Sequence, residues 1–346
     1  MTIADLAPRN PWEVDLIREE LVSIDVGASE PQQLFLSVRG PPRTHANQPV
    51  VLIECGAGAT SRWWVVVQRL LSRHVRVYCY DRAGLGRSGP ALVFPRTART
   101  MASELATLLA TVEVTPPLVL VAHSYGAIVA REYLARLAQP AQAVRGMVFV
   151  DANQEKTHDL LFTPSHIQNA IGKLSPLVII GLDEGHRYSQ EELEAIMREE
   201  SGKGTYSTHA GAQEATGTAS AADSEMANMR ACGRALADRA QLRGSLLGVN
   251  PVTVIRGDAA RDLCRIYEVA LTSVLSTAQG REETEAHLAR FAATDKKLQL
   301  EILQLSHTAR FVQAKKSGHH IEATEPELIA REVSRVMSLV NRDEGR

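Results

Sequence analysis

One ten-residue stretch restricts this chain more than any other. Residues 117–126, Pro-Leu-Val-Leu-Val-Ala-His-Ser-Tyr-Gly, carry an apolar strand straight into a tight turn tipped by a serine, and a helical run over 127–137 begins at once. A strand that stops against a helix must reverse within a few residues, and the strained turn that results can hold one hydroxyl clear of the sheet. Ser124 is that hydroxyl. The spacing is small-x-Ser-x-Gly, with Ala122 in the place of a first glycine and Gly126 as the second. Alanine adds only a methyl, so close packing of helix on strand survives. Such a string is common by chance, and its meaning depends on its surroundings.

Around it, short apolar runs alternate with helix-period segments, the pattern of an α/β fold built on a mainly parallel sheet. Strands are expected over 21–26, 34–38, 50–54, 75–80, 118–122, 146–151, 252–256 and 309–314, which would make an eight-stranded sheet flanked by helices. A helix over 97–109 would place Met101, Leu105 and Leu108 on one face. The last helix would bury Ile329, Val333, Val336 and Val340, and its start, Thr324-Glu325-Pro326-Glu327, has capping-box spacing. The rhythm breaks after Asp151. From 152 to about 248 no strand is convincing, and helical pieces over 190–198 and 225–242 flank a stretch rich in Gly, Ser, Thr and Ala over 201–222. A second helical excursion, 259–294, follows the next strand. The expected organisation is a core over 1–151, a helical lid inserted after the sixth strand over 152–248, and the rest of the core over 249–346. With 346 residues, 45% of them apolar, the chain is long enough for both. Insertions at the loop ends of a parallel sheet tend to cover the site those loops build.

The charge pattern narrows the function classes. The net charge of −2 and the absence of any basic run longer than Lys315-Lys316 argue against a nucleic acid or an anionic membrane as partner. Residues 1–16 carry acids and prolines instead of an apolar leader, and no later run is long enough to cross a bilayer, so the expected location is cytoplasmic. Cys55, Cys79, Cys232 and Cys264 have no C-x-x-C spacing, which points to buried thiols and not to a zinc site or a disulfide framework.

Five segments then fall into one order. Glu54-Cys55-Gly56-Ala57-Gly58 follows the third strand and Tyr80-Asp81-Arg82-Ala83-Gly84-Leu85-Gly86-Arg87-Ser88-Gly89 the fourth. His123-Ser124-Tyr125-Gly126 follows the fifth, Val148-Phe149-Val150-Asp151 ends the sixth, and Ser317-Gly318-His319 follows the eighth. In this set the chain resembles the α/β-hydrolase superfamily, in the branch of lid-bearing serine esterases and lactonases, over roughly 20–150 and 250–340. The resemblance implies an α/β-hydrolase fold and assigns roles. Ser124 would attack a carbonyl carbon, and a base must take its proton, because a hydroxyl is a poor nucleophile at its free pKa. His319 is the candidate base, matched by Ser317-Gly318 before it and Pro326 after it. His320 is the competing imidazole, and His123 reads as a packing residue.

The acid that orients the base follows the sixth or the seventh strand in such folds, so Asp151 and Asp258 both qualify. The family's later acid commonly lies three residues past the glycine, where this chain has Ala260, and that departure favours Asp151. The resemblance also implies two backbone donors for a developing oxyanion, the amides of Tyr125 and Ala57. The Gly56-Ala57-Gly58 turn lacks the Gly-Lys-Ser/Thr of a phosphate-binding loop. Asp81-Arg82 reads as a structural turn, and Arg62-Trp63-Trp64 as the anchor of the first helix.

A serine at the elbow, where related epoxide hydrolases and haloalkane dehalogenases carry a carboxylate, argues for acyl chemistry. The expectation is a serine hydrolase of an ester, lactone or thioester of a medium-sized, largely apolar small molecule, needing neither metal nor cofactor. Two other readings stand beside it: a lyase or cyclase using the same three residues, and a ligand-binding protein in which they are idle.

Overall fold

The computed structural model describes residues 10–161, 176–202, 220–271 and 277–344. Eight strands form one sheet: β1 Ile17–Ile24, β2 Gln32–Arg39, β3 Val50–Glu54, β4 Val77–Tyr80, β5 Leu118–His123, β6 Val144–Val150, β7 Val252–Arg256 and β8 Ala309–Gln313. Their spatial order is β1-β2-β4-β3-β5-β6-β7-β8. β1, β2 and β4 pair antiparallel, and the pairs from β4 through β8 are parallel. This is the mainly parallel α/β sheet that the sequence pattern implies.

The central strands are buried on both faces, which is why they read as continuous apolar runs and not as alternation. Along β5, Leu118, Leu120 and Ala122 pack into one layer with Met101, Leu105 and Leu108 of the helix Ala98–Thr111, while Val119 and Val121 pack into the other. That second layer holds Val66, Val67 and Leu71 of the helix Val65–Leu71, and Ile329, Val333, Val336 and Val340 of the helix Pro326–Glu344. Each of these buried Val, Leu, Ile and Met side chains contributes about 1.5–3 kcal/mol relative to exposure.

Several local expectations need correction. β1 begins at Ile17, four residues ahead of the expected start at 21, because an edge strand holds its place by backbone pairing (Ile17 lies opposite Arg39) and its solvated face can stay polar. The capping box at 324–327 does not form. Thr324 instead closes the short helix Ile321–Thr324, donating to the His320 carbonyl at 2.8 Å, and Glu325 accepts from the Lys316 amide and the Ser317 hydroxyl at 2.9 and 2.7 Å. Cys55, Cys79 and Cys232 are buried, but Cys264 is exposed.

Between β6 and β7 the described residues contain helices and no strand: Thr157–Leu160, Pro176–Ile179, Leu182–Gly185, Gln190–Gly202 and Ala221–Ala237. The helix expected over 225–242 is the last of these. It starts early because Ser220 accepts from the Asp223 amide, and it ends early at Ala237, ahead of Ala240, which has a φ of +52°. Most of the Gly/Ser/Thr/Ala-rich stretch, 203–219, lies outside the described residues. After β7 come the helices Ala259–Leu271 and Ala278–Glu301. Among the described residues no helix is long and apolar enough to cross a membrane.

The register fixes where the loops emerge. Glu54 lies beside Ala122, His123 beside Val150, and Val150 beside Ile255, so the turns after β3, β5, β6 and β7 leave the sheet side by side. The carboxyl ends of parallel strands near a reversal of strand order are where such sheets bind ligands.

Candidate active site

β5 ends at His123 and the helix Gly126–Leu134 begins three residues later. Ser124, between them, has a φ of +50°, a conformation that costs a non-glycine residue about 1–3 kcal/mol unless its surroundings hold it. They do. Its amide donates to the Val150 carbonyl at 3.1 Å, and its own carbonyl accepts from the amides of Ala127 and Asn153 at 3.1 and 3.0 Å. A Cβ on Gly126 would lie 2.3 Å from the Cys55 carbonyl oxygen, so only glycine lets the helix start this close to the exit of β3. Ala122 is fully buried and its methyl is accommodated. The turn leaves Ser124 partly exposed between buried neighbours.

The structure brings Ser124, His319 and Asp151 together. His319 Nε2 lies 3.0 Å from Ser124 Oγ, and Nδ1 lies 2.7 Å from Asp151 Oδ2. Asp151, with a φ of +39°, is buried, and its second oxygen accepts from the Gly257 amide at 2.8 Å and from Gln299 Nε2 at 2.9 Å. Burial opposes the charge on Asp151, but the His319 hydrogen bond and charge, with the Gly257 amide, hold its carboxyl below the ordinary value. Burial likewise pulls the His319 imidazole down. The Asp151 hydrogen bond and charge, helped by Glu322 and Asp262, outweigh it and raise His319 to about 9. Such a chain holds the imidazole in one orientation, with Nε2 facing the hydroxyl and able to take its proton.

The other candidate acid goes elsewhere. Asp258 is exposed, and its Oδ1 accepts from the Arg261 amide at 3.3 Å, capping the helix Ala259–Leu271. The carboxylate that sequence reasoning missed is Asp262, one turn into that helix. Its Oδ2 accepts from the His319 backbone amide at 2.8 Å, and a Cβ on Gly318 would lie 1.8 Å from the same oxygen, so the Ser-Gly-His turn needs its glycine to sit against Asp262.

His320 points away from Ser124. Its Nδ1 lies 2.8 Å from Glu322 Oε1 and its ring stacks on Trp63 at 5.4 Å. His123 does more than fill space. Burial lowers its imidazole to about 4, so the ring is neutral, and Nε2 donates to the His319 carbonyl at 3.1 Å. Its Nδ1 would lie 2.9 Å from a Cβ on Gly56, so the turn after β3 comes this close to the ring only because position 56 is glycine. Trp63 and Trp64 are both buried, as a helix anchor should be, with Trp64 edge-on to His123.

The turn Gly56-Ala57-Gly58 is held from below by Arg82. Its guanidinium donates to the carbonyls of Cys55 and Gly56 at 2.8 and 2.5 Å, to Glu54 at 2.7 Å, and to both oxygens of Glu225 at 2.9 Å. Glu225 belongs to the helix Ala221–Ala237 between β6 and β7, and it also accepts from the Gly58 amide at 2.9 Å. Burial pushes the Glu54 carboxyl up against the pull of Arg82, and Tyr80 donates to it at 2.6 Å. With two carbonyls turned toward Arg82 and the next amide toward Glu225, Ala57 points its own amide elsewhere. Among the described residues neither the Ala57 nor the Tyr125 amide donates to any acceptor. Asp81-Arg82 is therefore more than a turn at the sheet edge, and no motif in the sequence marks Glu225 as its partner.

Comparison with known proteins agrees on the architecture. A family model described as the alpha/beta hydrolase family matches residues 50–332. The chain is 58% identical to an AB hydrolase superfamily protein of Gibberella zeae, over 96% of this chain and 99% of that one. Two solved structures superpose on nearly the whole chain at low identity, which speaks to fold alone. A haloalkane dehalogenase DbeA-M1 loop variant from Bradyrhizobium elkanii gives a TM-score of 0.55 at 16% identity, covering 95% of this chain and 99% of its own. A malate-bound thermophilic esterase from Thermogutta terrifontis gives 0.52 at 16%, covering 93% and 99%.

Proposed function

The chain belongs to the alpha/beta hydrolase family, and from that premise we propose that it is a serine hydrolase acting on an ester, lactone or thioester of a medium-sized, largely apolar substrate. The observation that carries this reading is the hydrogen-bonded line from Ser124 through His319 to Asp151, with a serine and not a carboxylate at the strained elbow. The esterase from Thermogutta terrifontis among the structural neighbours is consistent with it.

In the proposed route Ser124 Oγ attacks the substrate carbonyl while His319 Nε2 takes its proton. Asp151 keeps Nδ1–H directed at itself and stabilises the imidazolium that forms. The carbonyl oxygen becomes an oxyanion facing the Ala57 and Tyr125 amides, which donate to no acceptor among the described residues. His319 returns the proton to the leaving oxygen or sulfur, leaving an acyl-enzyme on Ser124. A water then repeats the sequence with His319 as base, and the acid product departs. The insertion between β6 and β7 acts as the lid, and Glu225 ties it to the oxyanion turn.

A p-nitrophenyl ester of medium chain length tests this. The expected result is a burst of one nitrophenolate per protein, lost in Ser124→Ala, with one oxygen from ¹⁸O-labelled water in the acid. Turnover with no label in the product would point to elimination or cyclisation, and binding without turnover to an idle triad.

A further inference from the structure

On the outer side of the His319 turn is a cavity of about 330 Å³, between the loop and helix at 180–187, the helix Ala259–Leu271 and the turn at 316–320. Its charged lining is lopsided. Among the described residues Arg187, Arg261, Arg265 and Lys316 face it against Glu184 and Asp262, in a chain whose net charge is negative. Asp262 is already engaged by the His319 amide and by Arg261 at 3.1 Å, so it does not neutralise the others.

The cations are placed by the backbone. Arg261 donates to the Lys316 carbonyl at 2.9 Å and to Asp262 at 3.1 Å, and Arg265 to the Ile180 carbonyl, which fixes one guanidinium against each wall; among the described residues Nε and Nη2 of Arg265 donate to no protein group. The wall is shaped around Arg265: Gly181 has a φ of +73°, and a Cβ there would lie 2.8 Å from Arg265 Nη1. Among the described residues Arg187, Arg265 and Lys316 form no ion pair. Convergent, unneutralised guanidinium donors in a concave site match the oxygens of a phosphate or carboxylate, and the volume is at the lower end of that of small-molecule pockets.

We infer that this cavity is a binding site for an anionic group, a phosphate or carboxylate on a small molecule, set behind the catalytic histidine turn. Gly318 and His320 line it while Ser124 does not, so the anion would sit beside the reaction chamber and not inside it. The inference does not rest on the hydrolase reading, since the site is defined by its own cations.

Inorganic phosphate is the first probe. The melting temperature of the full chain should rise with millimolar phosphate above a sodium chloride control of equal ionic strength, because a ligand that binds only the folded state stabilises it. The rise should disappear in Arg187→Ala/Lys316→Ala, two side chains that form no hydrogen bond or ion pair among the described residues and whose loss should leave the melting temperature in chloride at the wild-type value. Should that double variant fold poorly, ³¹P line broadening in wild type against Lys316→Ala gives the same reading. No rise and no broadening in wild type, or an equal rise in the variants, would overturn the proposal. Kinetics on a neutral ester separate the two sources of the anion. A raised KM at constant kcat would mark phosphate as a mimic of part of the substrate, and a changed kcat at constant KM would mark it as a separate effector.

Discussion

β6 and β7 lie side by side and each leads into an aspartate, yet the two carboxylates have opposite fates. Asp151 turns inward on a left-handed residue, is 3% exposed, and gathers three donors from β8's turn, β7's end and the helix Ala278–Glu301. Asp258 turns outward and caps the helix that starts beside it. The chemistry of a strand-end aspartate is thus decided by what the neighbouring loops bring to it. His319 reaches β6 and not β7 because Asp262 holds its amide at 2.8 Å and His123 holds its carbonyl at 3.1 Å.

The sharpest test of that contrast exchanges one oxygen for nitrogen at each site. Asp151→Asn should lower kcat on a p-nitrophenyl ester by about 10⁴, as loss of the orienting acid does in such triads, while the same change at Asp258 should leave kcat within about twofold. The reverse ranking would move the working acid to β7.

The pH profile of kcat/KM is next in size. His319 acts as a base only when neutral, and Asp151 raises it from 6.5 to about 9. Activity on an uncharged ester should therefore climb with pH, with the value at pH 6 about 10³ below the plateau. Stability runs the other way: a raised imidazole contributes stability that is full below about 6.5 and is lost as pH passes about 9. In Asp151→Asn the His319 titration, followed by NMR, should slide back toward the ordinary imidazole value. An unmoved titration would mean that Asp151 is not what raises it.

Glu225 falls between the two aspartates, a buried carboxylate that touches the turn proposed to hold the oxyanion and not the histidine. Removing an oxyanion donor costs about 10²–10³, and loosening one should cost less, so Glu225→Gln should lower kcat about tenfold with KM nearly unchanged. A change confined to KM would place Glu225 in substrate binding instead. The smallest effect belongs to Asp258→Ala, which should cost about 1 kcal/mol of unfolding free energy through the lost cap and leave kcat/KM unaltered.

What was legible in the sequence was whatever the backbone demands locally. The elbow at Ser124 needs Gly126 against the Cys55 carbonyl, and the histidine turn needs Gly318 against Asp262, so both leave small-residue signatures beside the functional side chain. Asp151 and Asp258 end similar strands, and before β8's turn is in place only the alanine at position 260 tells them apart. Glu225 and Gln299 sit on helices, where a buried polar residue spaced among others reads as an ordinary solvated face. Glu225 meets Gly58 across 167 positions of chain, a separation at which no motif spacing operates.

The central claim is that His319, held by Asp151, activates Ser124. The most direct measurement is the rate of covalent labelling by a fluorophosphonate, read by intact mass and peptide mapping on the folded protein. One adduct on Ser124 is expected, absent in Ser124→Ala, much slower in His319→Ala and Asp151→Asn, and as fast as wild type in Asp258→Asn. A folded wild type that takes no label, or one labelled equally fast without His319, would contradict it.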